Sequence, residues 1–577
     1  MCSIEAKRHS LAHLLAAAVL ELYPDAKRAI GPAIDTGFYY DIEFTEPISD
    51  EDLPKIEKKM HEILPTWSTF DGQEVSEQKA RDTFKNNPYK QELIDEIVAK
   101  GEKLTLYTSG TYVDLCRGGH ADDASHLKPD SFKLSHVAGA YWRGNENNKQ
   151  LTRIYGLAFD TKEELEAYET MLEEAKKRDH KKLGPELDLF VFSDLIGSGL
   201  PLFTPKGTIV RNLLDNFVWE LRQKAGYQQV DIPHITKKEL YETSGHWDKF
   251  KDDLFRIKTR EQHEFAMKPM NCPHHTQIYA RRQWSYRDLP QRYANTTKVY
   301  RDEQTGELAG LTRVRSITQD DAHVFCRMDQ VKDEFLKIWD IVNEFYPTFD
   351  IQLRVRISVH DPAHPEKYLG DPERWAFAEN VLREIVAEKG MESFEGIGEA
   401  AFYGPKLDFL GKDAIGREHQ VATIQIDMNQ PERFDLTCIN EKGEKERIVM
   451  IHAAIMGSIE RFMAVAIEHF AGAFPVWLSP TQVSILPITD KVNEYAGQIA
   501  TQLQAAGIRV EVNSENETIG KKIRAAELMK VPYLLVVGEK EMSAEKVAVR
   551  QRGKGDVGQM DLDVFIQQIS SEVASRS

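Results

Sequence analysis

The sequence predicts a multidomain α+β protein. A chain of 577 residues is too long for one hydrophobic core, and its length indicates three or four domains. Helical periodicity from Val331 to Phe345 is followed by strict alternation from Ile351 to Val359, so helices are mixed with antiparallel strands in the middle of the chain. Residues 476–577 alternate strands and helices in a βαβ-type order, which predicts a separate mixed sheet.

The composition is that of an ordinary globular protein with an acidic balance. Hydrophobic residues make up 41% and charged residues 29% of the chain, and the formal net charge is −18. That charge alone argues against a nucleic-acid partner, because phosphate contacts need Lys and Arg. The segment from Lys521 to Lys554 nevertheless holds nine basic and four acidic side chains. A local basic surface is therefore compatible with the composition.

The cysteines and the apolar segments indicate a cytoplasmic protein without a membrane span. The cysteines are Cys2, Cys116, Cys272, Cys326 and Cys438. They form no C-x-x-C pair and no secreted-type framework, which is typical of a reducing compartment. No apolar run has the length of a membrane span. Lys7 and Arg8 before LAHLLAAAVL have the order of a signal peptide, but Glu5 and two histidines interrupt it, so we interpret the stretch as a helix of the fold.

The stretch KVYRDEQTGELAGLTRVRSITQDDAHVF predicts an antiparallel hairpin. Its strands are Lys298 to Asp302 and Leu311 to Phe325, and Glu303 to Gly310 supplies the turn. Alternate side chains of a strand share a face, which groups Arg313, Arg315, Gln319, Asp321 and His323. A solvated strand face would show the same pattern. The R-x-E of Arg301 and Glu303 beside it favours a phosphate site, because Arg binds phosphate in a bidentate way.

Two further groups of polar residues lie near the N-terminus. A helix over residues 9–22 places His9 and His13 one turn apart on a shared face. This H-x-x-x-H spacing is common in metal sites, although such pairs also occur by chance on helix surfaces. The segment from Asp114 to His120 (DLCRGGH) adds Asp, Cys and His in a glycine-containing loop.

These residues resemble the motifs of one enzyme family. Arg301 and Glu303 resemble motif 2 of the class II aminoacyl-tRNA synthetases, and TQDDAHVF narrows the resemblance to the threonyl-tRNA synthetase family. GSIER, ending at Arg461, matches motif 3, and GYQQVDIPHI, ending at Ile235, matches motif 1. A single motif would be weak, whereas this ordered set is specific. The sequence departs from the family at one point: it has Tyr300-Arg-Asp-Glu303 where the family often has H-R-N-E. This difference leaves the Arg and the Glu unchanged.

The resemblance implies an antiparallel class II catalytic sheet with flanking helices, an α+β editing domain and a C-terminal α/β anticodon-binding domain. The implied ranges are 1–160 for editing, 161–186 for a linker helix, 187–475 for catalysis and 476–577 for anticodon binding. Thr161 and Glu164 form a capping box for the linker, which is expected to close at Gly184-Pro185. Many family members carry a small extra domain ahead of the editing domain, so either this protein lacks it or the sequence is truncated.

The resemblance also implies roles for individual residues of the catalytic domain. The catalytic residues are Arg301, Arg461, Asp321 and Gln319. ATP, with Mg²⁺ on its phosphates, is implied to bind Arg301, Glu303, Arg313, Gln420 and Arg461. Threonine is implied to bind Met270, Asp321, Gln319, Tyr403, Lys406 and Gln425. Gln420 and Gln425 have opposite strand parity, so a bulge or a turn must intervene if both face the substrate.

A further implication is one Zn²⁺ per subunit, held by Cys272, His323 and His452. Three protein ligands with one open position are typical of a catalytic zinc, although each residue alone would more often belong to the core or the surface. An apolar pocket cannot reject valine, a near isostere of threonine, but a zinc that binds the amino group and the β-hydroxyl can. Serine lacks only a methyl group, worth roughly 1–3 kcal/mol, so a hydrolytic editing site is needed as well.

The editing and anticodon sites follow from the same resemblance. The editing residues are His9, His13, Lys90, Asp114, Cys116 and His120, with Tyr39 and Tyr40 nearby. Their histidines and cysteine would also suit zinc, but the family resemblance favours water activated by side chains. The anticodon residues are Glu541 and Arg550. The implied partners are tRNA(Thr), L-threonine, ATP and a second copy of the chain. The two copies are expected to form a homodimer through residues 206–235.

The predicted function is therefore a ligase that activates threonine with ATP, transfers it to the 3′ end of its tRNA and hydrolyses Ser-tRNA. A catalytically silent paralogue that binds RNA as a regulator is the first alternative, but the retained Arg301, Glu303 and Arg461 argue against it. A zinc hydrolase built around His9 and His13 is the second, and it leaves the other two domains without a role.

Overall fold

The computed structural model describes residues 2–145 and 147–576. The chain forms two compact units, Met1–Glu173 and Glu174–Ser577. Among the described residues, no helix combines the length and the apolar character that crossing a membrane requires.

The first unit packs its long N-terminal helix among strands. Its helices are α1 (Ile4–Leu22), α2 (Leu53–Ile63), α3 (Glu77–Thr83) and α4 (Pro88–Ala99), and α5 (Lys162–Arg178) begins in it. Its strands are β1 (Lys27–Arg28), β2 (Ala33–Ile34), β3 (Gly37–Glu43), β4 (Asp71–Glu74), β5 (Thr105–Ser109), β6 (Tyr112–Leu115), β7 (Phe132–Tyr141) and β8 (Gln150–Ala158). A five-stranded sheet has the order β1-β3-β8-β7 with β2 beside β3, and β4-β5-β6 form a second sheet.

Helix α1 begins five residues earlier than predicted, because Ser3 caps it by accepting a hydrogen bond from Ala6 N at 3.2 Å. Its apolar side chains, among them Leu11, Leu15 and Val19, belong to the core of the unit. The basic pair Lys7 and Arg8 and the apolar stretch after it thus belong to a helix of the hydrophobic core.

The predicted single linker helix is wrong, because two helices occupy this part of the chain. Helix α5 ends at Arg178 and α6 (His180–Glu186) follows, with Asp179 in a non-helical conformation at φ −50° and ψ 119°. The Asp179 side chain caps α6 by accepting from Lys181 N at 2.8 Å. One half of the predicted capping box of α5 is present, since Glu164 N donates to Thr161 Oγ1 at 3.2 Å. The Glu164 carboxylate accepts from Asp160 N at 3.0 Å, one residue before the predicted donor.

The second unit is built on a large, mainly antiparallel sheet. Its further helices before residue 475 are α7 (Pro205–Lys224), α8 (Lys238–Ser244), α9 (His246–Lys249), α10 (Cys272–Tyr279), α11 (Val331–Phe345), α12 (Pro372–Lys389), α13 (Asn429–Arg433) and α14 (Ile459–His469). The strands are β9 (Phe190–Val191), β10 (Leu202–Phe203), β11 (Gln228–Gln229), β12 (Ile235–Lys237), β13 (Arg256–Lys258), β14 (Glu264–Met267), β15 (Trp284–Ser285), β16 (Gln291–Tyr300), β17 (Ser316–Cys326), β18 (Gln352–Val359), β19 (Ser393–Ile397), β20 (Lys406–Lys412), β21 (Glu418–Asp427), β22 (Thr437–Ile439), β23 (Lys445–Arg447) and β24 (Val449–Ser458).

Eight of these strands form one sheet in the order β11-β16-β17-β24-β21-β20-β18-β19. The inner pairs are antiparallel, and the short strands β11 and β19 pair in parallel at the two edges. Apolar side chains of α7, α11, α12 and α14 share one core with this sheet, as the alternating strand pattern requires. The predicted fold class is confirmed.

The predicted hairpin is present, with β16 and β17 antiparallel from the pair Gln291↔Phe325 to the pair Tyr300↔Ser316. Its second strand begins at Ser316, not at Leu311, so the prediction that Arg313 and Arg315 share the strand face is wrong. A tight turn lies there instead, because Thr312 N donates to Ala309 O at 3.0 Å. Arg315 N then donates to Gly199 O at 2.8 Å, outside the strand ladder.

The C-terminal part of the second unit has its own sheet, in the order β26-β25-β27-β28-β29. The strands are β25 (Val483–Pro487), β26 (Val510–Val512), β27 (Tyr533–Val537), β28 (Lys546–Gln551) and β29 (Gly555–Asp561), and the helices are α15 (Asn493–Ala505), α16 (Ile519–Leu528), α17 (Glu539–Ala544) and α18 (Leu562–Ser575). The predicted mixed sheet is confirmed, because β26-β25-β27 pair in parallel and β27-β28-β29 antiparallel.

The basic surface of this part is smaller than the count of charges indicates. The buried Lys522 donates its Nζ hydrogens to Pro487 O at 2.9 Å and Asn513 O at 3.1 Å. Arg552 donates to Ala473 O at 3.0 Å. These two cations stabilise the fold and are not free to contact phosphates.

Candidate active and editing sites

A buried cluster of one cysteine and two histidines lies at the centre of the large sheet. His323 of β17 and His452 of β24 are direct cross-strand partners, with His323 Nε2 3.1 Å from His452 Nδ1. Cys272, the first residue of α10, completes the cluster, and the three ligand atoms lie within 4.8 Å of one another. All three side chains are buried. The strand register and the position of α10 thus bring together residues that are far apart in the sequence.

The donor set and its surroundings fit a zinc ion. His452 Nε2 lies 2.9 Å from Asp427 Oδ2, and His323 Nδ1 lies 2.8 Å from His275 Nδ1. A hydrogen bond at one ring nitrogen leaves the other nitrogen as a ligand, and such contacts orient metal-binding histidines. Burial lowers the pKa of His323 well below its usual value, so its ring is neutral and able to ligate. Asp427 and His275 are not among the sequence-predicted residues.

The predicted threonine residues adjoin this cluster. Asp321 Oδ2 accepts a hydrogen bond from Asn271 Nδ2 at 3.1 Å, and burial raises the pKa of the Asp321 carboxyl. The buried Tyr403 ring has its centre 5.1 Å from that of His452. Gln425 is the cross-strand partner of His452, and its Nε2 donates to Gly404 O at 2.9 Å. These side chains are therefore available to line one pocket beside the cysteine and histidines.

Two other predicted threonine residues reach this region from neighbouring elements. The Met270 sulfur is 3.3 Å from Nε2 of the buried His246. Gln319 lies two residues before Asp321 in β17, opposite Thr297 of β16. A register shift of the β17–β24 pair falls between Gln319 and Asp321.

A polar network around Asp408 holds the remaining substrate residues. Asp408 is buried and accepts hydrogen bonds from Lys406 Nζ at 2.8 Å, Arg356 Nη2 at 3.0 Å and Gln420 Nε2 at 2.8 Å. Burial opposes ionisation of Asp408, but Lys406 and the hydrogen bonds lower its pKa below the usual value. Sequence reasoning missed Asp408 and Arg356, although an Asp inside the apolar strand KLDFLG was a usable signal.

The predicted bulge between Gln420 and Gln425 is present. Phe409 pairs with Ala422 and Leu410 pairs with Gln420, so one residue of β21 is extra. As a result, Gln420 Nε2 also lies 3.2 Å from Thr423 Oγ1 on the same face. Gln420 and Gln425 can therefore face the same substrate.

Four of the five predicted ATP residues lie in the loop after β16 and at the start of α14, and the fifth, Gln420, lies in β21. Arg301 was predicted to lie in the first strand of the hairpin, but that strand ends at Tyr300. The guanidinium of Arg301 lies 5.3 Å from the centre of the Phe250 ring, and its buried Nε has no hydrogen-bond partner within residues 2–145 and 147–576. Burial lowers the pKa of Arg301. Glu303 accepts from Arg313 Nε at 2.8 Å, so these two side chains pair with each other. Arg461 is exposed in the first turn of α14.

The first unit brings all six predicted editing residues together. Cys116 Sγ lies 3.4 Å from His9 Nε2 and 3.3 Å from His120 Nε2, and the rings of His13 and His120 have their centres 4.3 Å apart. The buried His13 Nδ1 has no partner among the described residues. These three histidines and Cys116 have ligand atoms within 4.8 Å of one another.

Asp114 and Lys90 form a buried ion pair beside these histidines, with Lys90 Nζ 2.7 Å from Asp114 Oδ1. Arg28 Nε lies 3.2 Å from the same oxygen, and Tyr40 and Tyr112 donate to the other. Burial opposes ionisation of Asp114, but Lys90 and Arg28 hold its pKa well below the usual range. Arg28 and Tyr112 were missed by sequence reasoning, since nothing in their local pattern distinguishes them.

Five of the six predicted editing residues line an open cavity of about 720 Å³: His9, His13, Lys90, Asp114 and Cys116. The sixth, His120, adjoins the cavity through its contact with Cys116. Tyr40 lines it too, whereas Tyr39, the next residue along β3, contacts Arg153 on the opposite face of the strand. The expectation that both tyrosines lie near the site is therefore wrong for Tyr39.

The protonation states of this cavity suit the positioning of a water molecule. Burial and the neighbouring His9 lower the pKa of His120 to about 3, so its ring is neutral. Burial raises the pKa of the Cys116 thiol to about 11, so the thiol stays protonated near neutral pH. A protonated thiol is a poor nucleophile.

The two predicted anticodon residues lie in the C-terminal part. Glu541, in the short helix α17, accepts from Gly538 N at 2.9 Å and also from Gln559. Arg550, in β28, has a buried Nε without a partner among the described residues. Glu541 is thus engaged within the domain, whereas Arg550 Nε has no hydrogen bond to a described residue.

Comparisons with known proteins agree with this geometry. Residues 255–470 match the family model for the tRNA synthetase class II core domain (G, H, P, S and T), residues 482–572 match the anticodon binding domain, and residues 104–155 match the threonyl and alanyl tRNA synthetase second additional domain. The last range includes Asp114, Cys116 and His120 of the editing cavity.

Curated relatives cover nearly the whole chain. The threonine–tRNA ligase of Cytophaga hutchinsonii is 50% identical over 98% of this chain and 88% of its own length. The enzyme of that name from Thermus thermophilus is 49% identical over 99% of this chain and 88% of its own length. A crystal structure of the RNA binding domain of threonyl-tRNA synthetase from Cryptosporidium parvum is 37% identical, with a TM-score of 0.65 over 68% of this chain and 98% of that one. The chain therefore belongs to the threonyl-tRNA synthetase family of class II aminoacyl-tRNA synthetases.

Proposed function

We propose that this chain is a threonine–tRNA ligase that activates threonine with ATP, transfers it to the 3′ end of tRNA(Thr) and hydrolyses Ser-tRNA. The observation that carries the proposal is the buried cluster of Cys272, His323 and His452 beside Asp321 in a class II sheet. The ranges 1–160, 161–186, 187–475 and 476–577 are proposed as its editing, linker, catalytic and anticodon-binding parts. The two consecutive helices α5 and α6 form the linker.

In the first step the threonine carboxylate attacks the α-phosphorus of ATP and pyrophosphate leaves. The protein positions the reactants and stabilises the developing charge, which suits Arg301, Arg313 and Arg461 with Mg²⁺ on the phosphates. Arg301 supports this role because its buried Nε lacks a partner. Arg313 pairs with Glu303 across the loop, so the two proposed ATP residues lie side by side.

Threonine is selected beside the cysteine and histidines. Held by Cys272, His323 and His452, a zinc ion would supply a Lewis-acid centre for the amino group and the β-hydroxyl of threonine. Asp321 accepts from the threonine ammonium or hydroxyl, and Gln319 lies beside it. In the second step the terminal ribose hydroxyl of tRNA attacks the carbonyl carbon of the adenylate and AMP leaves.

Editing is proposed to take place in the cavity of the first unit. A water molecule held by the neutral His9, His13 and His120 attacks the ester carbonyl of Ser-tRNA, and the tRNA hydroxyl leaves. The Lys90–Asp114 pair fixes the wall beside this water, and the protonated thiol of Cys116 is a hydrogen-bonding group.

The remaining proposals concern the tRNA and the compartment. Glu541 and Arg550 are proposed to meet anticodon bases, and the free Nε of Arg550 supports this. Glu541 would have to give up its bond to Gln559. The cytoplasm is the proposed location, because the cysteines are free thiols and the substrates of translation are found there.

The test of this function is threonine-dependent ATP–pyrophosphate exchange by the purified full chain. We expect exchange with threonine, weak exchange with serine and none above background with valine. A folded, zinc-loaded protein without exchange would contradict the proposal. RNA binding in that sample would then favour the silent paralogue, and hydrolase activity confined to the first unit would favour the zinc hydrolase.

We also expect a homodimer formed through residues 206–235. Ile235 is 50% exposed at the end of this segment, and Val191, Phe192 and Leu195 are exposed apolar residues in the chain just before it. Exposed apolar side chains that form a contiguous patch are typical of an interface. Light scattering should give twice the chain mass of 66.0 kDa.

Charge placed in this interface should weaken the dimer. Ile235→Asp should shift the mass toward that of one chain, whereas Ile397→Asp, a matched change at an exposed edge-strand isoleucine, should leave the dimer intact. An active monomer of the unchanged protein at assay concentration would contradict the prediction.

A further inference from the structure

The side chain of His180, the first residue of α6, makes two hydrogen bonds outside the site described above, and the backbone N–H of His180 donates to Glu468 Oε1 at 3.1 Å. Its Nδ1 lies 2.6 Å from Glu468 Oε1 of α14, and its Nε2 lies 3.0 Å from the backbone nitrogen of Leu311. The His180 side chain is almost completely buried. One imidazole ring thus joins α6, α14 and the loop between β16 and β17.

The two contacts require one tautomer of the ring. The backbone N–H of Leu311 is a donor only, so His180 Nε2 must accept, and the ring hydrogen must be on Nδ1, which donates to Glu468. Glu468 is suited to accept because Arg417 Nη2 lies 2.5 Å from its other oxygen. Although burial opposes its ionisation, His180 and Arg417 lower the pKa of Glu468 to about 2.

The loop is pressed closely against this ring. Gly310, with φ +55°, has no side chain, and a Cβ there would lie only 2.3 Å from His180 Nε2. Leu311 follows and is completely buried in the core of the unit. The end of the loop at Leu311 is therefore fixed in position. The hydrogen bond that fixes it is donated by Leu311 N–H and accepted by the ring of His180.

The two elements that His180 joins both carry proposed ATP residues. Arg313 follows Leu311 by two residues and pairs with Glu303 at the other end of the loop. Glu468 and Arg461 are seven residues apart, two turns on the same side of α14. A change in the His180 contacts would therefore shift Arg313 and Glu303 relative to Arg461.

We propose that His180 is a positioning residue for ATP, which fixes the end of the β16–β17 loop so that Arg313 and Glu303 meet the nucleotide. It acts through the Leu311 N–H and does not itself contact the substrate. This inference rests on the proposed function, because it assumes that ATP binds to this loop.

Two substitutions separate the contacts of the ring. In His180→Asn the amide occupies the position of Nδ1, so it can donate to Glu468 but leaves Leu311 N–H without an acceptor. In His180→Gln the longer side chain brings its oxygen to the position of Nε2, so it can accept from Leu311. We expect His180→Asn to raise the KM for ATP about tenfold in threonine-dependent exchange, as the loss of one buried hydrogen bond predicts, with the KM for threonine unchanged. His180→Gln should stay within about twofold of the unchanged protein.

Gly310→Ala provides a second route to the same contact, because its Cβ would displace the loop from the ring. We expect it to raise the KM for ATP selectively, as His180→Asn does. Zinc content and the thermal midpoint show whether each variant is folded. If His180→Asn fails to fold, then His180→Gln and Gly310→Ala decide the question.

An unchanged KM for ATP in the folded Asn and Ala variants would overturn the proposal. So would equal changes in the KM values for ATP and threonine, which indicate general damage. The unchanged protein is measured in parallel, and its own exchange tests the proposed function independently of these variants.

Discussion

Cys272→Ser should remove the zinc ion and lower kcat/KM for threonine in ATP–pyrophosphate exchange by about 10²-fold or more, the effect of misplacing a bound reactant by about 1 Å. The reason is geometric, because Cys272 is the one thiol in a buried set whose other ligands are the cross-strand pair His323 and His452. A serine hydroxyl is a harder and weaker ligand than a thiolate. Elemental analysis should fall from one zinc per chain to a small fraction of that.

Cys438→Ser is the matched control for this variant. Cys438 is a completely buried cysteine of the same hydrophobic cluster as Cys272, but it lies outside the ligand set. The same chemical change there should leave both zinc content and exchange activity close to those of the unchanged protein. Full activity in zinc-free protein, or equal loss of zinc from both variants, would show that the cluster is not the zinc site.

A His9→Ala, His13→Ala double variant should hydrolyse Ser-tRNA about 10²–10⁴-fold more slowly, the range that general acid–base catalysis contributes. Threonine activation should stay within about twofold, because the editing cavity and the cysteine–histidine cluster lie in different compact units. Charging assays should accumulate Ser-tRNA. Val-tRNA should still be absent, since rejection of valine belongs to the catalytic domain.

His126→Ala, His136→Ala is a matched double variant, because it removes the half-buried His126 and the exposed His136 from the same unit. It should edit normally. Because His13 is buried, its removal could disturb the fold. His9 is partly exposed, so the single variant His9→Ala serves as a second test that leaves the buried histidine in place. Normal Ser-tRNA hydrolysis by both His9 variants would remove these residues from the site. Accumulation of Val-tRNA would mean that valine is not rejected at the cysteine–histidine cluster.

The local sequence pattern was sufficient to predict a structural element wherever one short stretch contained all the residues that determine it. The β16–β17 hairpin followed from two alternating segments around a glycine-containing turn, and the one-turn spacing of His9 and His13 followed from helical periodicity. The opposite strand parity of Gln420 and Gln425, together with the implied role of both at the substrate, required a bulge or a turn between them, and the structure has a bulge. In each case side-chain period and turn chemistry act between near neighbours in the chain.

Two predictions failed, one at a local helix cap and one at a contact between distant parts of the chain. The single linker helix was wrong because Asp179 breaks the helix and its carboxylate caps the start of α6. Arg313 and Arg315 left the predicted strand face because Arg315 N bonds to Gly199, more than a hundred residues away. The Asp179 cap was a usable local signal, since Asp is a preferred N-cap residue and its partner Lys181 is two residues away. The contact of Arg315 with Gly199 has no signal in the sequence around either residue.

The sequence by itself determined the fold class, the family motifs and the residue types available for chemistry. Only the tertiary structure decided which of them meet. Asp427, Arg28 and His180 have no distinctive neighbours in sequence, and each acquires its role from a partner on another element. The physical reason is that a buried polar group must find its partner in space, and strand register and helix packing, not chain proximity, choose that partner.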